Sequence, residues 1–111
     1  MAGAAAPGHH PLYRRSRFAP YLNTVFRTRS KAGAPVALKL EEIGELPSRV
    51  LDREREDSFS LIFHGTGRGA LPQGLYTLSH AGIGSFQLFL VPMGRRKQAR
   101  LYEAIINRFQ P

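Results

Sequence analysis

The chain has 111 residues, a mass of 12.4 kDa and 42% hydrophobic residues, enough for one small core and too little for a two-domain enzyme. It contains no Cys and no Trp, which excludes disulfides, thiolate zinc sites, iron–sulfur clusters and cysteine nucleophiles and leaves the redox compartment open. Sixteen Lys and Arg against eight Asp and Glu give a net charge of +8, a balance that draws in nucleic acid or anionic surfaces without specifying a fold.

The first twenty residues open with small side chains, continue through His9 and His10, and end in the cations Arg14, Arg15 and Arg17. Residues 1 to 40 hold no acid at all, and seven of the eight acids lie between Glu41 and Asp57. This composition predicts a flexible basic arm over residues 1 to 20, available to dock on a partner. A secretory signal places its cations before an apolar stretch, whereas here they follow a short Ala run. No cleavable signal is therefore expected, although an Arg-rich, acid-free leader also has the loose composition of a transit peptide, and a cytoplasmic location is the default. The longest apolar run, residues 88 to 93, is far short of the ~20 residues that a membrane-spanning helix needs.

Residues 21 to 111 read as a single small β domain. Segment 21 to 29 offers Leu22, Thr24 and Phe26 to a core, and segment 36 to 42 alternates Val36, Leu38 and Leu40 with Ala37, Lys39 and Glu41. That period of two marks a strand with one face inward. Residues 43 to 57, with Gly44, Pro47 and alternating acids and arginines, read as a solvated loop or short surface helix. Segment 59 to 64 turns Phe59, Leu61 and Phe63 one way, 75 to 80 offers Tyr76 and Leu78, and 86 to 92 offers Phe86, Leu88 and Leu90. The Gly-containing stretches 65 to 74 and 81 to 85 lie where the backbone must turn, so the third to fifth strands are expected as a meander of hairpins. Segment 101 to 108 fits helical spacing through Tyr102, Ile105 or Ile106 and Phe109, but its alternation and successive β-branched residues favour strand. Six short antiparallel strands must hide their edges, so the expected fold is mainly β, a closed or nearly closed barrel.

The ordered series of residues 57 to 63 (DSFSLIF), 71 to 76 (LPQGLY), 89 to 94 (FLVPMG) and 102 to 108 (YEAIINR) resembles an uncharacterised bacterial family of small domains of unknown function. The likeness runs from about Phe18 to Arg108. It implies a small β-rich fold and a strand for the last segment, and it assigns no catalytic or binding residues. Its members are encoded beside proteins similar to phage tail collars, which implies a place in a tail-like or cell-surface assembly. The arginines before Phe18 lie outside the resemblance.

The residues that carry chemistry elsewhere are scattered here. A metal needs two or three His converging with a carboxylate; with 59 to 64 and 75 to 80 taken as a hairpin, His64 and His80 fall roughly 15 Å apart along the ladder. Ser58 or Ser60, His64 or His80, and Asp57 supply the types for nucleophilic catalysis, but no spacing assembles them and no G-x-S-x-G elbow occurs. The glycines at 65, 67 and 69 lack the Gly-Lys-Ser/Thr and following helix of a phosphate loop, so Arg68 reads as the tip of a turn. No catalytic residue, metal, cofactor or small-molecule substrate is expected.

One feature points to contacts instead. Phe89, Val91 and Met93 lie opposite Phe86, Leu88 and Leu90, so this strand is apolar on both sides, and Ile62 and Ile105 point the same way as Phe89. One face fills the core; the other is to be covered by the arm, by residues 43 to 57, or by another subunit. The expected function is a non-enzymatic β domain that binds protein or itself through Phe89, Val91, Ile62 and Ile105, with Arg14, Arg15, Arg17 and Arg68 as basic contacts. The alternative is a basic barrel that binds nucleic acid through Arg68 and the cations at 95 to 100.

Overall fold

The computed structural model describes residues 13–45, 58–66 and 69–107. Its strands are β1 (Val25–Arg29), β2 (Pro35–Glu45), β3 (Ser58–Thr66), β4 (Gly74–His80), β5 (Gly84–Arg96) and β6 (Ala99–Asn107), preceded by a single helical turn α1 (Arg15–Phe18) and a 3-10 turn, Ala19–Tyr21. The strands close into a barrel in the order β1-β2-β3-β6-β5-β4, every neighbouring pair antiparallel. Closure gives every strand a partner on both sides over at least part of its length, which limits pairing of so small a sheet with other chains. Period-two apolar residues drive it: Phe26, Leu38, Leu40, Leu61, Phe63, Leu78, Leu88, Leu90 and Tyr102 all turn inward and are buried, each such side chain adding about 1.5–3 kcal/mol of transfer free energy. The segment expected from 101 is strand as far as it is described, to Asn107, with Tyr102, Ala104 and Ile106 inward.

Connectivity departs from a meander. β3 pairs with β2 and β6, and β4 with β1 and β5, so β3 and β4 are not a hairpin. The chain instead crosses one end of the barrel between them, burying Leu71, whose amide donates to the Tyr102 hydroxyl at 2.9 Å. The opposite end is plugged from the start of the chain. Phe18 is fully buried, its ring 6.0 Å from Phe59 and 5.6 Å from Phe86. Residues 13 to 20, expected to belong to a flexible arm, are thus part of the domain, because two aromatic side chains there have core positions to fill. Residues 1 to 12 lie outside the described residues, as do 46 to 57.

Two bulges shift the alternation. Between Leu40 and Glu42 the extra residue, Glu41, lets Leu40 and Ile43 both face inward, so β2 continues to Glu45 where a loop was expected to begin at 43. Between Pro92 and Gly94 the extra residue is Met93; Gly94 has φ 113°, a conformation only glycine adopts without strain, and β5 runs on to Arg96. At the other end the first strand is shorter than expected. Asn23 has φ 69°, which breaks the alternation and leaves Leu22 exposed instead of in the core.

Candidate functional site

The outer wall of β5, β6 and β3 gathers the apolar residues singled out from the sequence. Register places Val91 opposite Glu103 and Glu103 opposite Ile62, one row across the three strands. Phe89 lies two residues before Val91 and Ile105 two after Glu103, on the same side of that row because the strands are antiparallel. Phe89 is 47% and Ile105 56% exposed, while Val91 and Ile62 are half-buried. Met93, on the same side of β5 as Phe89 and Val91, is 50% exposed, and a further residue completes the surface: Leu75, directly opposite Phe89 on β4 and 46% exposed. Leu75 escaped the sequence reading because its strand was judged only by its inward residues, Tyr76 and Leu78.

The leading segment closes the barrel and does not cover this wall. The ladder between β5 and β6 runs from Arg96↔Ala99 only to Val91↔Glu103. Beyond it, at Gln87, a side chain replaces the missing strand: the Tyr13 hydroxyl donates to the Gln87 carbonyl at 2.6 Å and accepts from the Gln87 amide at 3.2 Å. Burial pushes the Tyr13 pKa up, with the bond to the Gln87 backbone offsetting part of the rise, so the phenol keeps the proton it donates.

The arginines of this segment fare differently from one another. Arg14 and Arg17 are exposed, but Arg15 is half-buried and its Nη1 is enclosed, so the three do not form one basic contact surface. Arg68 lies outside the described residues. The basic groups that the structure does gather are elsewhere. At the β5–β6 tip, Arg95 lies directly opposite Arg100 and is followed by Arg96 and Lys97, with Lys97 at φ 55° in the two-residue turn. A second basic region, missed in the sequence because its residues alternate unremarkably along one strand, is the groove between β1 and β4, lined by Arg27, Arg29 and Lys31.

His9 and His10 lie outside the described residues, and His64 and His80 are held by contacts within the fold. Gly82 N–H donates to His80 Nδ1 at 2.9 Å, which leaves Nε2 as the protonated nitrogen facing Thr24 Oγ1 at 2.8 Å. The ring also packs 4.4 Å from Phe26 and 4.8 Å from Tyr21, between ring centres. His64 lies on β3 with Nδ1 3.4 Å from Glu41 Oε2. His64 and His80 are on strands that do not pair, so the hairpin geometry expected for them does not apply. Ser60 and His64 are four residues apart on one strand, about 13 Å, too far for a nucleophile and its base. Among the described residues no three of His, Cys, Asp and Glu cluster to hold a metal, and no helix is long and apolar enough to cross a membrane.

No curated protein and no solved structure matches the chain. The model of one family, described as Domain of unknown function (DUF6916), matches residues 13–106, a span that begins at Tyr13 and takes in both barrel plugs, Phe18 and Leu71. The barrel with its docked leading turn is accordingly the shared unit, and the chain belongs to this family of unknown function.

Proposed function

We propose that the domain is a non-enzymatic assembly module whose outer β5 wall packs against another protein subunit, in the first instance a second copy of this chain. The observation that carries this reading is the exposure of Phe89, at 47%, among Leu75, Met93 and Ile105 on one wall of an otherwise closed barrel. Isolated exposed apolar residues are ordinary, but a contiguous set on a flat strand surface is the pattern of interaction sites. The dispersed Ser and His residues favour binding over catalysis. An assembly of tail-like or cell-surface type is the kind of structure such a module would serve. The test is Phe89→Ser. It should leave stability within about 1 kcal/mol of wild type, because the ring is half in solvent, yet shift the light-scattering mass from multimer to 12.4 kDa. The inward neighbour provides the contrast: Leu88→Ala should cost about 2–5 kcal/mol.

A second reading, a barrel that binds nucleic acid, is favoured by the facing Arg95 and Arg100 with Arg96 and Lys97 at the same tip. Salt separates the two. Phosphate contacts weaken steeply as salt rises, whereas apolar packing does not.

A further inference from the structure

We propose that the groove between β1 and β4 binds an extended acidic peptide of a partner protein, added as a strand along the seam. The seam is the barrel's weakest. β4 pairs with β5 along its whole length, from Gly74↔Leu90 to His80↔Gly84, but meets β1 at the single pair Arg27↔Ser79. From there towards Leu75 no further ladder pair forms, and Thr28 Oγ1 donates to the Thr77 carbonyl at 2.7 Å, a side chain serving where a ladder bond would be. The opening is a groove of about 570 Å³, lined among others by Arg27, Arg29, Lys31, Leu75, Thr77 and Ser79. It runs on into a hollow of about 540 Å³ beside His80, which shares Arg27 and Ser79. Strand edges without a ladder partner are the surface on which extended peptides add a strand, with main-chain bonds giving affinity and side-chain positions giving specificity.

Three features select the peptide. Arg27, Arg29 and Lys31 line the groove, and among the described residues no acid does. Arg27 and Arg29 are two residues apart on the outward face of β1, about 7 Å, which is also the repeat of carboxylates at alternate positions of an extended chain; each guanidinium can then meet one acid in a charge-assisted bond. Leu75, 46% exposed, adds an apolar side chain to the groove's lining beyond Arg29. Single-stranded nucleic acid would want an exposed aromatic platform, and the aromatic here, Tyr76, is buried with Lys31 Nζ 4.7 Å over its ring.

The groove shares Leu75 with the Phe89 wall, but Arg27 and Arg29 are on β1, away from that wall, so charge reversal there leaves the assembly reading untouched. A fluorescein-labelled peptide of alternating Glu and Val is titrated into the full chain by anisotropy, beside a Gln–Val peptide and an oligothymidylate of similar length. Saturable binding of the Glu–Val peptide is expected, about tenfold or more tighter than that of Gln–Val and weakened by a similar factor in Arg27→Glu/Arg29→Glu. That variant should melt as wild type does and keep the wild-type multimer mass. If it fails to fold, amide shifts in the wild-type NMR spectrum carry the test, and they should move at 27 to 29 and 75 to 79. Absence of binding, equal binding by the charge-reversed variant, shifts confined to other strands, or tighter binding of the oligothymidylate would each overturn the proposal, the last in favour of nucleic acid.

Discussion

Tyr13 shows how much a single side chain can contribute to closing a sheet. Its hydroxyl satisfies both the amide and the carbonyl of Gln87 where β6 no longer reaches, so Tyr13→Phe removes two partly buried hydrogen bonds and should cost about 0.5–1.5 kcal/mol in chemical denaturation. The same residue imposes a pH dependence. Its folded pKa lies above the ordinary value of 10.0 because burial disfavours the phenolate. Below about pH 10 both folded and unfolded chains hold the proton and this contribution is constant; above it the unfolded chain releases the proton first, so stability falls until the folded pKa is passed. Denaturation curves should show a decline above about pH 10 that is shallower in Tyr13→Phe than in wild type. An equal decline in the two would assign the alkaline loss to other groups, among them Tyr76, which burial also pushes up.

At the scale of elements, the sequence was readable wherever alternation was unbroken. Val36, Leu38 and Leu40, then Phe59, Leu61 and Phe63, then Phe86, Leu88 and Leu90 declare their inward face by composition alone, and all are buried. The ends of β2 and β5 were not readable for one shared reason: each passes through a bulge, at Glu41 and at Met93, where one inserted residue inverts the parity on which the reading depends. The pairing of β3 was hidden too. Periodicity reports which face of a strand is buried and carries no information about its neighbour, and the Gly-rich residues after β3 suit a crossing as well as a hairpin. In the leading segment the composition, small residues and arginines, outweighs the two aromatics Tyr13 and Phe18 that take core positions. Phe18 sits against Phe59 and Phe86 at the barrel end, so Phe18→Ala should destabilise the whole domain by about 3–5 kcal/mol. A melting temperature unchanged by that substitution would restore the segment to the status of an appendage.

For the molecule as a whole, the candidate surface was half legible. Phe89, Val91, Ile62 and Ile105 stand out because a strand apolar on both faces has more greasy surface than one barrel interior can take, whereas the β1–β4 groove lies where two strands share a single ladder pair, which no local pattern encodes. Net charge sets the two surfaces against each other. At +8, copies of the chain repel at low ionic strength, and that repulsion is screened once the Debye length falls to about 3 Å near 1 M salt. Contacts between cations and anions weaken over the same range. Light scattering of the pure wild-type chain at low salt and near 1 M salt therefore tests the central claim most directly. Packing through the Phe89 wall predicts a mass above 12.4 kDa that holds or grows as salt is raised; a strict monomer under both conditions would contradict it.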